Sequence, residues 1–118
     1  MKNELDITVV ILTLNEEANI PFALENVKGF CRDVVILDSF STDATVAIAE
    51  AYGARVFQRK FDNFSCQRKH ALEQLPITSE WVLVLDADEY LSDKLKEEIS
   101  RVLPSSSCDA YVMKRRFY

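Results

Sequence analysis

The residues best suited to chemistry are acidic, and they fall where apolar runs end. Asp86-Ala87-Asp88-Glu89 follows Trp81-Val82-Leu83-Val84-Leu85 directly. Asn15-Glu16-Glu17 follows the run from Ile7 to Leu14, and Asp38 follows the run from Asp33 to Leu37. In an extended segment, residues i and i+2 point the same way, so the carboxylates of Asp86 and Asp88 can approach one hard cation. Mg2+ or Mn2+ suits such oxygen donors and keeps open positions for substrate phosphates. Carboxylates gathered within a few ångströms repel one another, so three acidic segments that converge would need positive charge between them. Each segment also has a plainer reading. Asp86 and Asp88 suit a turn and cap ahead of Ser92, Asp38 a cap before Ser41, and Asn15 and Glu16 a helix entry.

The elements that must carry these residues alternate between two patterns. Ile7 to Leu14 is a near-continuous, β-branched apolar run, the pattern of a strand buried on both faces. A helix should follow, with Asn19 as N-cap, Pro21 in its first turn, Ile20, Leu24 and Val27 inward and Gly29 at its end. Asp33 to Leu37 reads as a second buried strand. Ser41, Thr42 or Asp43 can cap the next helix, with Ala44, Ala47, Ile48 and Ala51 on its inner face and Gly53 as its stop. Ala54 to Phe57 is a short third strand, and a third helix runs roughly from Cys66 to Leu75 before Pro76. Trp81 to Leu85 is the fourth strand, and Ser92 caps a fourth helix with Leu95, Ile99 and Val102 as its stripe. Ala110 to Tyr118 begins like a fifth strand and stops with the chain. This alternation predicts one α/β domain over residues 1–118 with a mostly parallel sheet. With strand order 3-2-1-4, the three acidic segments would meet outside the carboxyl ends of the strands, where such sheets bind ligands.

Composition removes several alternatives. A chain of 118 residues with a net charge of −5 is one ordinary domain and a poor general nucleic-acid binder. Two glycines, Gly29 and Gly53, admit neither a dinucleotide loop nor a GxxxxGK phosphate loop. His70, the single histidine, excludes HExxH zinc chemistry. Phosphates would therefore have to be met by cationic side chains or a metal. Cys31, Cys66 and Cys108 include no CxxC pair and read as free thiols, which suits a reducing cytoplasm. The start lacks the apolar core of a signal peptide, and no apolar run approaches the roughly 18 residues of a membrane span.

Four segments taken in order carry a family resemblance: Thr13-Leu14-Asn15-Glu16-Glu17, Asp38-Ser39-Phe40-Ser41-Thr42-Asp43-Ala44-Thr45, Gln67-Arg68 and Trp81 to Glu89. Together they resemble the family 2 glycosyltransferases of GT-A fold, above all bacterial enzymes that build lipopolysaccharide core and other cell-surface glycans. The resemblance implies a Rossmann-like nucleotide-binding half, truncated after the strand that follows the DxD motif. It implies that Thr13, Leu14, Asn15 and Glu16 line a nucleoside pocket, that Asp38 accepts from the base with Ser39 beside it, and that Arg68 faces the diphosphate. Asp86 and Asp88 would hold Mg2+ or Mn2+, with Ala87 between them at the nucleotide. The donor would be a nucleotide-sugar of the UDP-sugar class, the acceptor a glycan or glycolipid, and the transfer inverting.

Two departures accompany the resemblance. Lys69 and His70 stand where the pattern after Gln67-Arg68 usually continues with Asn. Family members also run well past 118 residues, and their catalytic base lies downstream of the DxD strand. No residue here is assigned as base, although Glu89 is the nearest carboxylate. Lys114-Arg115-Arg116 could meet an anionic membrane surface at the cytoplasmic face. Against a receiver domain, Gln58-Arg59-Lys60 follows the third strand where a phospho-acceptor Asp is needed. A DxD phosphatase would place its motif after the first strand. The alternative of another class is a nucleotide-sugar-binding module without catalysis.

Overall fold

The computed structural model describes residues 5–102. They form β1 (Leu5–Thr13), α1 (Ile20–Val27), β2 (Cys31–Asp38), α2 (Thr45–Ala51), β3 (Arg55–Gln58), α3 (Phe64–Glu73), β4 (Trp81–Asp86) and α4 (Asp93–Val102). The four strands make one parallel sheet, as the alternation predicted, and their order is β3-β2-β1-β4, the doubly wound order under which the acidic segments would meet.

The apolar runs become strands because both of their faces are covered. Val9, Val10 and Ile11 of β1 and Val35, Ile36 and Leu37 of β2 have no exposed surface. On one face, Ile7, Val9, Ile11 and Ile36 pack with Ile20, Leu24 and Val27 of α1, Ala49 of α2, and Leu95 and Ile99 of α4. On the other, Val10, Leu12, Val35 and Leu37 pack with Ala71 of α3. The period of two along each strand therefore divides the core into two layers.

Register brings the strand ends level. Thr13 pairs with Asp38 and Asp38 with Gln58, so these three form one row across β1, β2 and β3. Asp86 lies opposite Leu12, one residue below that row.

Several local expectations are corrected. Asn19 holds the N-cap position of α1 but makes no side-chain cap bond, because its backbone is already helical, Phe22 N and Ala23 N donate to its carbonyl, and its side chain is hydrogen-bonded to Glu16. In α2 the inner face carries Thr45, Ala49 and part of Ile48, whereas Ala44, Ala47 and Ala51 are exposed. Alanine is tolerated on either face, so the helix phase is set by Ile48 and by the hydrogen bonds of Thr45. The third helix starts two residues early because the Asn63 side chain caps it by accepting from Cys66 N at 2.8 Å. Ser92 caps α4 as expected, its hydroxyl accepting from Leu95 N at 3.1 Å. Gly53 follows α2 with φ +86°, the left-handed stop that glycine supplies. Cys31 is a buried cysteine whose Sγ donates to the Val27 carbonyl, and Cys66 is half-buried. Cys108, the expected fifth strand and Lys114-Arg115-Arg116 lie outside the described residues. Among the described residues, no helix is long and apolar enough to cross a membrane.

Ile11→Ala should remove about 2–5 kcal/mol of stability by leaving a cavity between β1 and α1. Phe22→Ala, on the 65% exposed flank of α1, should change it by no more than about 0.5 kcal/mol. Urea midpoints of the two variants check the contrast.

Candidate functional site

The carboxyl edge of the sheet is organised around a buried carboxylate. Asp38 is fully buried, and its two oxygens accept four bonds. Thr13 Oγ1 donates at 2.6 Å and Ser41 Oγ at 2.5 Å to Oδ1, while Ser41 N at 2.8 Å and Gln58 Nε2 at 3.2 Å donate to Oδ2. Burial alone would raise the pKa of Asp38, but the bonds from Ser41, Thr13 and Gln58 outweigh it and hold the carboxyl below its ordinary range. A carboxylate offers about four lone-pair positions, and here protein donors take all of them. Asp38 is therefore a strut between β1, β2 and β3.

The loops after β1 and β2 clasp each other. Asn15 N donates to Ser41 Oγ, Glu16 N to Thr45 Oγ1 and Glu17 N to Asp43 Oδ2. In return, Thr42 N donates to Asn15 Oδ1 and Ala44 N to Glu17 Oε2. Most of Ser41-Thr42-Asp43-Ala44-Thr45 is thus consumed in holding the neighbouring loop. Asn15 (φ +54°) and Phe40 (φ +59°) sit in the left-handed region, one in each loop. Asparagine tolerates that geometry, whereas a phenylalanine there stores strain. Of the other residues anticipated here, Thr13 is buried with its hydroxyl on Asp38, while Leu14 is half-exposed and Asn15 exposed.

At the other end of the edge, Glu89 folds back on its own turn. Asp86 N donates to Glu89 Oε1 at 2.8 Å, and Glu89 N donates to the Asp86 carbonyl at 3.0 Å. Glu89 is thereby occupied in closing the turn after β4. The Ala87 methyl is buried in the core, Asp88 is exposed, and Arg68 Nη2 lies 3.3 Å from Asp86 Oδ2. Glu16 reports how the acidic segments meet. Burial first, then the charges of Asp88, Asp86 and Asp43, raise its pKa above the ordinary glutamate value, against a lowering hydrogen bond from Asn19. The ends of β1 and β4 therefore share one negative field, as the strand order requires.

That field and its donor set fit a divalent cation held partly by a ligand. Among the described residues no group of three His, Cys, Asp or Glu is placed to enclose a metal. Asp86 at the end of β4 and the exposed Asp88 in the turn after it offer hard oxygen donors of the type Mg2+ or Mn2+ takes.

Between the two ends runs the first turn of α3, where sequence reasoning missed a residue. Gln67 is 2% exposed; its Oε1 accepts from Arg59 Nη1 at 2.8 Å and its Nε2 donates to Ser39 Oγ at 2.8 Å. Arg59 is itself clamped by both oxygens of Asp62 at 2.9 and 3.1 Å. The Gln67-Arg68 pair stood out in the sequence for Arg68, but nothing in it revealed that Gln67 would be buried or that Arg59 would face it. Lys69 is exposed and His70 partly so, both beside a shallow pocket that includes Arg59 and Cys66.

The sequence pattern described as Glycosyl transferase family 2 matches residues 8–118. The chain belongs to glycosyl transferase family 2. Over 106 residues this family 2 chain is 41% identical to an uncharacterized glycosyltransferase of Rickettsia felis, covering 90% of itself and 37% of that protein. It is 32% identical over 108 residues to the lipopolysaccharide core biosynthesis glycosyltransferase LpsC of Rhizobium meliloti, covering 87% of itself and 39% of LpsC. In structure it resembles TarS 1–349 of S. aureus, with TM-score 0.67 and 27% identity over 80% of this chain and 31% of that one. The complex of TarS with UDP-GlcNAc superposes with TM-score 0.61 at 26% identity. The family 2 chain thus has the Rossmann-like GT-A arrangement, and it spans well under half the length of the curated relatives it matches.

Two titrations test this electrostatic picture. The pKa of Asp38 is lowered on folding, so its contribution to stability is complete above the unfolded value near 3.9 and is lost as pH falls through the folded value. Asp38→Asn should cost roughly 2–3 kcal/mol at pH 7 and flatten that acid limb, as followed by urea unfolding between about pH 2 and 7. The pKa of Glu16 is raised, so the favourable contribution of its protonated form is complete below the unfolded value and is lost as pH rises through the folded one. Glu16→Gln should therefore raise the thermal midpoint at pH 7, with a gain that disappears at acidic pH.

Proposed function

We propose that this chain is the donor-nucleotide region of a family 2 glycosyltransferase. It binds a UDP-sugar, and the enzyme moves the sugar onto a glycan or glycolipid acceptor of the cell envelope with inversion at the anomeric carbon. The observation that carries the reading is the shared field of Glu16, Asp86 and Asp88 at the β1/β4 edge, with Arg68 beside it. The UDP-GlcNAc complex of TarS supports the nucleotide class, and the likeness to LpsC supports the acceptor class.

On this reading Asp86 and Asp88 hold Mg2+ or Mn2+, which when bound supplies Lewis-acid stabilisation to a departing nucleoside diphosphate. Arg68 adds preorganised positive charge at the same group, and the 3.3 Å contact with Asp86 aims its guanidinium. Leu14 and Asn15 line the nucleoside side of the crevice, where Ser39 also stands, and the main chain at Ala87 borders the phosphate side. Glu16 adds negative charge that draws the cation in. The turn held by Glu89 keeps Asp86 and Asp88 at the strand end.

Calorimetric titration with UDP, GDP and ADP, each with and without Mn2+, tests the reading. UDP should bind in a Mn2+-dependent way, and Asp86→Ala/Asp88→Ala should weaken it by about 10- to 100-fold, the worth of a charge-assisted contact. Folded wild-type protein that binds no nucleotide in Mn2+ would overturn it. Binding without sugar transfer to any acceptor would favour a nucleotide-sugar-binding module instead.

A further inference from the structure

The geometry points to Gln67 as a positioning residue that sets the hydrogen-bonding polarity of Ser39, so that the Ser39 hydroxyl donates to a carbonyl oxygen of the donor's nucleoside base. This rests on the donor-nucleotide reading above and assigns part of its specificity.

The argument begins at Arg59, whose guanidinium can only donate. Its Nη1 lies 2.8 Å from Gln67 Oε1, so the oxygen of the Gln67 amide must face Arg59. The amide nitrogen is then forced toward Ser39 Oγ, which accepts from it at 2.8 Å. Asp62 holds Arg59 through two parallel bonds, and Gln67 has almost no exposed surface, so neither end of the relay is free to invert. A serine hydroxyl has one hydrogen. With Nε2 donating to its oxygen, that hydrogen must point elsewhere, and among the described residues Ser39 Oγ donates to no protein acceptor. Ser39 is partly exposed at the end of β2, so its hydrogen is available to a ligand on the carboxyl edge.

The chemistry of that ligand follows from position. Arg68, the next residue of α3, meets Asp86 at the end of β4, whereas Gln67 meets Ser39 at the end of β2. Two strand spacings, about 10 Å, separate those strands across β1. A nucleoside diphosphate whose phosphates lie by Arg68 and Asp86 extends its base over β1 toward β2. A fixed donor there selects a base that presents a carbonyl oxygen.

Gln67→Glu separates this role from a structural one. Glutamate keeps the partner of Arg59 but loses the N–H that faces Ser39, so the Ser39 hydroxyl turns inward to donate to the new carboxylate. Gln67→Glu should keep or raise the thermal midpoint and weaken UDP binding, read by calorimetry in Mn2+, by about three- to tenfold. In a Ser39→Ala background the same substitution should leave UDP affinity unchanged. Arg59→Met, on a partly buried residue, is the second variant: it releases the amide to flip and should weaken UDP binding in the Ser39 protein and not in the Ser39→Ala protein. UDP affinity equal to wild type in both variants overturns the assignment while leaving the donor reading intact, as does a loss of the same size in the Ser39→Ala background. Wild type that binds no UDP overturns both.

Discussion

A carboxylate with no exposed surface has to be met by donors on every side, and most of the carboxyl edge of this sheet is arranged to do that for Asp38. An ionised carboxyl left uncompensated in the interior would cost several kcal/mol or more. The donors come from β1 (Thr13), from the loop after β2 (Ser41) and from β3 (Gln58), so one side chain locks three strand ends into a level row. Ser41 then serves twice, since the same hydroxyl accepts from Asn15 N. From there the clasp continues through Glu16, Asp43 and Thr45, which fixes the loop carrying Glu16 against the loop carrying Ser39. The strained backbone at Phe40 persists because residues on both sides of it are held in this way.

The acidic crevice is the opposite kind of structure. The strut at Asp38 is saturated and stabilising, whereas Glu16 is disfavoured as an anion by burial and by the charges of Asp88, Asp86 and Asp43, and Arg68 pairs with Asp86. Such an arrangement weakens the fold in isolation and pre-forms a place for positive charge. Stability given up at a site and recovered elsewhere is a common pattern in ligand-binding proteins.

Much of this was legible in the residues, for identifiable reasons. Long β-branched runs suit strands buried on both faces, so β1 and β2 followed from patterning, whereas the order 3-2-1-4, which brings the acidic segments to one edge, came from the doubly wound arrangement and not from the runs themselves. The phase of α2 did not follow, because its alanines carry almost no preference and the deciding contacts of Thr45 come from Glu16, 29 residues away. Asp38 read as a cap or ligand contact because its saturation depends on register, which sets Gln58 opposite it. Gln67 read as a helix residue beside an arginine. Its burial between Ser39 and Arg59 arises only when α3 crosses the strand ends, and no spacing along the chain encodes that.

The strand order also has a consequence for how the domain comes into being. β1 is central, yet one of its two neighbours, β4, lies about seventy residues further along the chain. At the roughly 5–20 residues per second of protein synthesis, that edge of β1 stays open for about 4–15 s after β1 itself has been made. During that interval the nascent chain can clasp its first two loops around Asp38, but it exposes an apolar strand edge to any partner nearby. Asp86 and Asp88 join Glu16 at the carboxyl edge only when β4 docks, so the electrostatic character of that edge is completed after the rest of the sheet is in place.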